Sequence, residues 1–347
     1  MTLVAVLKPD RPGDLVLASP AIRAIIENYG VLNVTLYVAS ETRRLAEYLF
    51  PDVASREVDF PLLSRRHVTA PHGTLGRELD EYGLIFCLCD DPALTALVRS
   101  LRTQTELIDG DDGLHETLIH KIALRRRLPD YSRTAMFSGS QVLWPERVDH
   151  VALALESTDP FWVWPLSSWL KLAVLLADDG VFVSIVVGPR DRAEARVLSG
   201  ALGNRPHTIL DAGDDPGRLY DGLSDVNLVV GADGDLVQLC SLKKPTVTIF
   251  GATSWRRRSP FGWNNLILSR DLPCSPCVLP GNGKVNGCTT RECTAAITAE
   301  DLFAVVGSTG LGGAGAGVLV VRGASHLDEM LMEHTDELRR TPCEVLR

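Results

Sequence analysis

The sequence predicts an α/β protein made of two consecutive doubly wound parallel-sheet units that face a cleft. Short apolar runs of strand length alternate with segments whose apolar residues recur at helical spacing. This alternation lapses over 133–150 and then restarts. At 347 residues the chain also exceeds one ordinary core, so two domains are expected.

Taken in order, the apolar run at 4–7 is a buried strand. Leu15, Val16, Ala18, Ala21, Ile22, Ile25 and Ile26 then mark one face of a helix. Strands follow at 34–38 and 84–89, with helices at 41–49 and near 94–101. Pro51-Asp52 makes a turn before another short strand. In the second half, a strand at 151–155 precedes a helix over 167–178, carried by Trp169, Leu170, Ala173, Val174 and Leu176 and stopped by Gly180. The strands VFVSIVVG, NLVVG and TVTIFG alternate with the helices DRAEARVLSGAL and DLVQLCSLKK. The expected division is 1–148, 149–309 and a tail at 310–347. That tail holds a flexible glycine-rich linker, a strand-like VLVVRG and a helix-like segment at 326–340.

Candidate chemistry gathers where strands turn into helices. In KPDRPGDLVL, Asp14 is read either as an N-cap or as a general base whose proton affinity is set by the helix dipole and burial. Pro12-Gly13 hold it in a rigid turn. The turn at Gly188, with Arg190, Asp191 and Glu194, offers a phosphate or ribose platform. The turn at Asp233, Gly234 and Asp235, followed by Gln238, repeats the pattern, with Gly234 allowing close backbone approach. Together with Gly251 and Thr253 these turns suggest a nucleotide-diphosphate site. The loop GATSWRRRSPFGW sets three arginines beside Trp255 and Trp263, as a solvated basic loop or as a phosphate or acidic-acceptor clamp.

Cys274, Cys277, Cys288 and Cys293 lie within twenty residues around a glycine-rich loop, a spacing suited to a closed structural site for zinc or iron. The other cysteines read as core or surface thiols. The net charge of −9 argues against a general nucleic-acid binder. No apolar stretch approaches the roughly 20 residues of a bilayer span, and no basic amphipathic helix is evident, so at most peripheral membrane contact is expected. The opening MTLVAVLKPD has no basic n-region, which points to a cytoplasmic protein.

The segments GDLVLASPAIRAI, FPDV, WPLSSWLKLAVLLADDGVFVSIVVGP, LVVGADGDLVQLCSLKKPTVTIFGAT, PFG and CTAAITAEDL occur in an order that resembles glycosyltransferase family 9, the ADP-heptose heptosyltransferases. The likeness spans about 3–306. The four-cysteine knuckle is similar to the iron site of the autotransporter protein heptosyltransferases. The resemblance implies a GT-B fold, with the acceptor on the first domain and a sugar nucleotide, ADP-heptose, on the second. It implies Asp14 as the base of an inverting transfer, with Gly13 beside it in the donor site. Two positions depart from the pattern: Gln238 stands where the family has histidine, and Trp162 where it has lysine. The acceptor (protein, glycan or small molecule) is left open, and oligomerisation is compatible with the family. Two other readings accompany this one. The first is a transferase of secondary metabolism that moves another sugar onto a small molecule. The second is a catalytically lapsed GT-B partner protein.

Overall fold

In the computed structural model, the described residues are 2–58, 72–108, 114–128, 144–156, 163–188, 190–213, 215–260, 264–270, 272–277, 288, 290–307 and 318–322. The first unit runs β1 (Val4–Lys8), α1 (Pro12–Tyr29), β2 (Val34–Val38), α2 (Arg43–Leu49), β3 (Ala54–Glu57), α3 (His72–Leu79), β4 (Leu84–Cys87), α4 (Pro92–Ser100), β5 (Gln104–Leu107) and α5 (Glu116–Leu124). The second runs β6 (His150–Leu155), α6 (Leu166–Asp178), β7 (Phe182–Val187), α7 (Arg192–Leu202), β8 (His207–Asp211), α8 (Pro216–Gly222), β9 (Leu228–Ala232) and α9 (Asp235–Ser241). It continues with β10 (Thr246–Phe250), α10 (Trp255–Arg258), β11 (Asn265–Arg270), α11 (Glu292–Ala295), α12 (Ala299–Gly307) and β12 (Val318–Arg322).

The strand orders are β3-β2-β1-β4-β5 and β12-β11-β10-β9-β6-β7-β8. All pairings are parallel except β11 with β12. Both sheets are therefore doubly wound. Their order reverses between β1 and β4 in the first and between β6 and β9 in the second. In such sheets ligands lie outside the carboxyl ends of the strands at that reversal. A cavity of 560 Å³ lined by Thr2, Tyr29, Tyr82, Arg102, Gln104 and Arg127 sits at the opposite, amino-terminal ends of β1, β4 and β5. It falls away from every predicted site residue.

Local chemistry sets the element ends that matter here. β1 is buried along its whole length, and Arg11 in extended backbone precedes α1 with Pro12 at its first position. The N-cap is thus Arg11, which makes no side-chain cap bond, and Asp14 lies inside the first turn. The cap reading of Asp14 is corrected: its carboxylate is held by charged side chains instead. Gly30 ends α1 with φ of 86°, a conformation that favours glycine. The strand expected at 84–89 stops at Cys87, and the helix expected over 235–244 stops at Ser241. The strand after the glycine-rich segment joins the edge of the second sheet. The segment at 310–317 and the helix expected at 326–340 lie outside the described residues.

Each sheet has its own apolar core. Leu15, Val16, Ile22 and Ile25 of α1 pack on Val4, Val6, Leu36 and Phe86. In the second unit, Trp164 and Trp169 meet edge to face at 4.8 Å, and the Trp164 indole N–H donates to the carbonyl of Ile297. Leu239 and Leu242 of the second unit pack against the first core. That contact brings the start of α1 against the start of α9.

Candidate active site

Two carboxyl-end loops meet at this junction. From the first unit comes the β1–α1 turn, with Gly13 and Asp14; from the second comes the β9–α9 turn, with Asp233, Gly234 and Asp235. The Gly13 N–H donates to Asp235 Oδ1 at 2.9 Å. A Cβ on Gly13 would stand 2.7 Å from that oxygen and 3.2 Å from Gln238 Cγ, so the contact requires glycine. Gln238 is buried here. Its Nε2 donates to the carbonyl of Arg258 at 2.6 Å, and its buried Oε1 has no hydrogen-bond partner among the described residues.

Arginines from α10 bind the two units together. The Arg258 Nη1 lies 2.7 Å from Asp14 Oδ1, and Arg11 Nε lies 3.7 Å from Asp14 Oδ2. Burial alone would push the Asp14 carboxyl up; the Arg258 and Arg11 guanidiniums and the Lys8 ammonium outweigh it and hold the group well below the usual carboxylate range. Asp14 is therefore ionised at neutral pH. Arg257 is buried and reaches Glu116 Oε2 and Asp90 Oδ2, each at 3.2 Å. Arg256 instead is exposed, its guanidinium 4.5 Å from the Trp255 ring centroid. The three arginines thus separate in role: two close the junction and one faces solvent. Trp263 lies outside the described residues.

Beneath Asp14 runs a buried charge chain that the sequence reading did not single out. Lys8 is fully buried at the end of β1, with its ammonium 2.5 Å from Asp10 Oδ2 and 3.8 Å from Glu116 Oε1. Burial opposes its charge, but Asp10, Glu116 and Asp14 overcome that and raise its proton affinity. Burial raises the Asp10 carboxyl in spite of Lys8. Glu116 is held below its ordinary value, because Lys8, His120 and Arg257 outweigh burial. His120 is lowered to about 4, first by desolvation and then by Lys8, and is neutral near pH 7. A charged residue closing an otherwise apolar strand was the available signal for Lys8.

On the second unit the carboxylates meet neutral donors. Asp233 Oδ2 accepts the Thr253 hydroxyl at 2.5 Å, while its buried Oδ1 has no partner among the described residues; burial raises this carboxyl. Asp235 is raised by burial as well. Glu156, just past β6, accepts the Leu236 N–H at 3.0 Å. A Cβ on Gly234 would fall 1.9 Å from Glu156 Oε2. The sequence reading expected that turn to receive an anion on its backbone; the structure gives the Leu236 N–H to the protein's own carboxylate. Glu156 was missed, although it ends a strand at the reversal point.

The remaining predicted residues spread out. Gly188 is buried, and Asp191 is buried just before α7. Arg190 is exposed, and Glu194 carries a buried Oε2 without a hydrogen-bond partner. Arg192 pairs with Asp211 in the open, Nε to Oδ2 at 2.6 Å. Trp162 lies outside the described residues. Gly251 is pressed by the second unit's own chain: a Cβ there would stand 2.2 Å from Thr294 Cγ2 and 3.2 Å from Cys293 Sγ.

Cys293 is buried on α11, Cys277 is half-buried, and Cys274 and Cys288 are exposed. Burial raises Cys293, and charge on Cys277, Cys288 and Cys274 adds to it, so the four thiols share one neighbourhood. Among the described residues, however, no three histidine, cysteine, aspartate or glutamate side chains stand in metal-holding geometry. Cys293 is fixed in the core under Gly251, while Cys274 and Cys288 face solvent. The segment makes other contacts. The Cys277 N–H donates to the carbonyl of Ala252, and the Ser275 hydroxyl to that of Gly251. It braces the turn that carries Thr253.

The comparisons with known proteins agree with this architecture. Residues 123–283 match glycosyltransferase family 9 (heptosyltransferase). The heptosyltransferase WaaC of E. coli, solved with ADP, is 17% identical, with a TM-score of 0.61 over 88% of this chain and 99% of that one. The E. coli ADP-heptose lps heptosyltransferase II is 14% identical, with a TM-score of 0.60 over 96% and 99%. A dodecameric iron-containing heptosyltransferase, TibC, in complex with ADP-D-beta-D-heptose, is 13% identical, with a TM-score of 0.51 over 89% and 76%. The sequence matches no curated protein. Among the described residues, no helix is long and apolar enough to cross a membrane. The fold is GT-B, and the match over 123–283 supports a glycosyltransferase.

Proposed function

We propose that the protein is an inverting glycosyltransferase that moves a sugar, heptose from ADP-heptose in the first instance, onto an acceptor hydroxyl. Residues 1–148 take the acceptor and 149–309 the sugar nucleotide. The observation that carries this reading is the ionised Asp14 carboxylate at the meeting of two sheet reversals, beside Arg258 of the second unit. The acceptor oxygen attacks the anomeric carbon, its proton passes to Asp14, and the bond to the diphosphate oxygen breaks with the electron pair leaving on the diphosphate. Inversion at that carbon follows from a single displacement. Arg258 is the cation closest to hand for the departing charge. The match to family 9 and the ADP and ADP-heptose complexes of the structural neighbours support the donor class.

Calorimetric titration with ADP-heptose, ADP-glucose, UDP-glucose and GDP-mannose tests it, with the wild type and Asp14→Asn compared. One donor is expected to bind selectively to both, while turnover of that donor falls by about 10²-fold or more in the variant. Absence of binding to all four would favour the partner-protein reading, and selective binding of UDP-glucose or GDP-mannose the secondary-metabolism reading.

A further inference from the structure

We propose that Arg258 is shared between two anions: with no donor bound it holds Asp14, and the donor's diphosphate takes its guanidinium over, so that loading the donor frees the base. This rests on the donor reading above. The backbone around Arg258 is fixed from both sides. Gln238 Nε2 binds the Arg258 carbonyl, His115 Nε2 lies 2.8 Å from the Ser259 carbonyl, and the neighbouring Arg257 is locked onto Glu116 and Asp90. The side chain is less confined, at 20% exposed, and its partner Asp14 is 14% exposed. Both lie in the junction rather than sealed beneath it.

A guanidinium presents five N–H groups in a plane, and the contact to Asp14 is a single approach at 2.7 Å. A diphosphate offers more charge than one carboxylate and accepts the fork at two oxygens. The group is also near enough to the donor turns for its charge to act there. Its charge bears on Asp233 and Asp235, whose carboxyls start the β9–α9 connection. Coupling of this kind is reciprocal. If donor binding draws Arg258 from Asp14, then removing the Asp14 charge must tighten donor binding by the same factor.

The test is a double-mutant cycle read by calorimetry with ADP as the probe, without divalent metal. Asp14→Asn is expected to bind ADP about tenfold more tightly than the wild type, and Arg258→Gln about tenfold more weakly. The double variant is expected to match Arg258→Gln. Tightening that persists in the Arg258→Gln background would show a mere change of field and would overturn the sharing. So would an Asp14→Asn affinity equal to the wild type's. Arg258→Lys keeps the charge but not the fork, and should recover part of the affinity; no recovery in this folded variant also counts against the proposal. If the wild type binds no ADP at all, the donor reading itself fails and the sharing falls with it. Because the Asp14→Asn comparison uses an intact Arg258, it stands even if Arg258→Gln does not fold.

Discussion

The two sheet reversals hold their carboxylates in opposite ways. At the first, cations dominate: Asp14 meets Arg258 and Arg11, and Glu116 meets Lys8 and Arg257. At the second, Asp233, Asp235 and Glu156 meet a hydroxyl and two backbone N–H groups. Burial acts alike on both sides, yet Asp14 and Glu116 are held down while Asp233 and Asp235 are pushed up. Asp10 is the exception, because burial outweighs its one close cation. The proposed function gives that difference a use. A proton acceptor must be ionised, whereas carboxyls beside an anionic ligand repel it less when neutral.

Breaking the cationic side gives the largest expected effect. Arg257→Ala removes the closer of the two buried cations on Glu116 and leaves that carboxylate with Lys8, at 3.8 Å. The expected loss is about 3–5 kcal/mol in denaturant unfolding. A loss below about 1 kcal/mol would mean that the charge chain of the first unit does not depend on the second.

The next effect is a pH dependence that belongs to the same chain. His120 is fully buried and lowered from 6.5 to about 4, first by desolvation and then by Lys8. Below pH 6.5 the unfolded chain takes up a proton that the folded protein refuses until about pH 4. Stability is therefore complete above 6.5 and is lost as pH falls through that window, by at most about 3 kcal/mol. In His120→Gln that part of the acid loss should vanish. An unchanged slope between pH 6.5 and 4 would show that the folded protein does not lower the proton affinity of His120.

The sheet grammar was legible because strand and helix periods are local. β1, β2, β6 and β7 are short apolar runs buried nearly throughout, and α1 shows its apolar face in sequence. The edge strands β5 and β8 were not legible: they read Gln-Thr-Glu-Leu and His-Thr-Ile-Leu-Asp, with no fully buried position. In the site, Gly13, Asp14 and Asp233 announced themselves as residues of strand-to-helix turns. Their partners did not. Arg257 finds Glu116 and Asp90 at sequence separations of 141 and 167, and no periodicity encodes such a pairing. The thiols show the converse case. Their spacing was regular, but where each side chain points is decided by packing, as Cys293 under Gly251 illustrates.

The smallest effect tests the neutral side. Thr253→Val keeps the shape of the side chain but removes the hydroxyl on Asp233 Oδ2, leaving both carboxyl oxygens buried with no described donor. The expected cost is about 1–2 kcal/mol near pH 7. The folded Asp233 already has a raised proton affinity, and loss of a bond to its ionised form raises it further. Protonation in the folded state then relieves the variant, so its deficit should shrink as pH falls toward the carboxylate range. The two carboxyls themselves run oppositely: burial of ionised Asp233 costs stability that protonation restores, whereas the Asp14 contribution is present above 3.8 and is lost as pH falls below it. Unfolding curves of Thr253→Val at pH 7 and pH 5 decide the matter. A deficit that grows on acidification would show that the Thr253 hydroxyl does not stabilise the ionised Asp233.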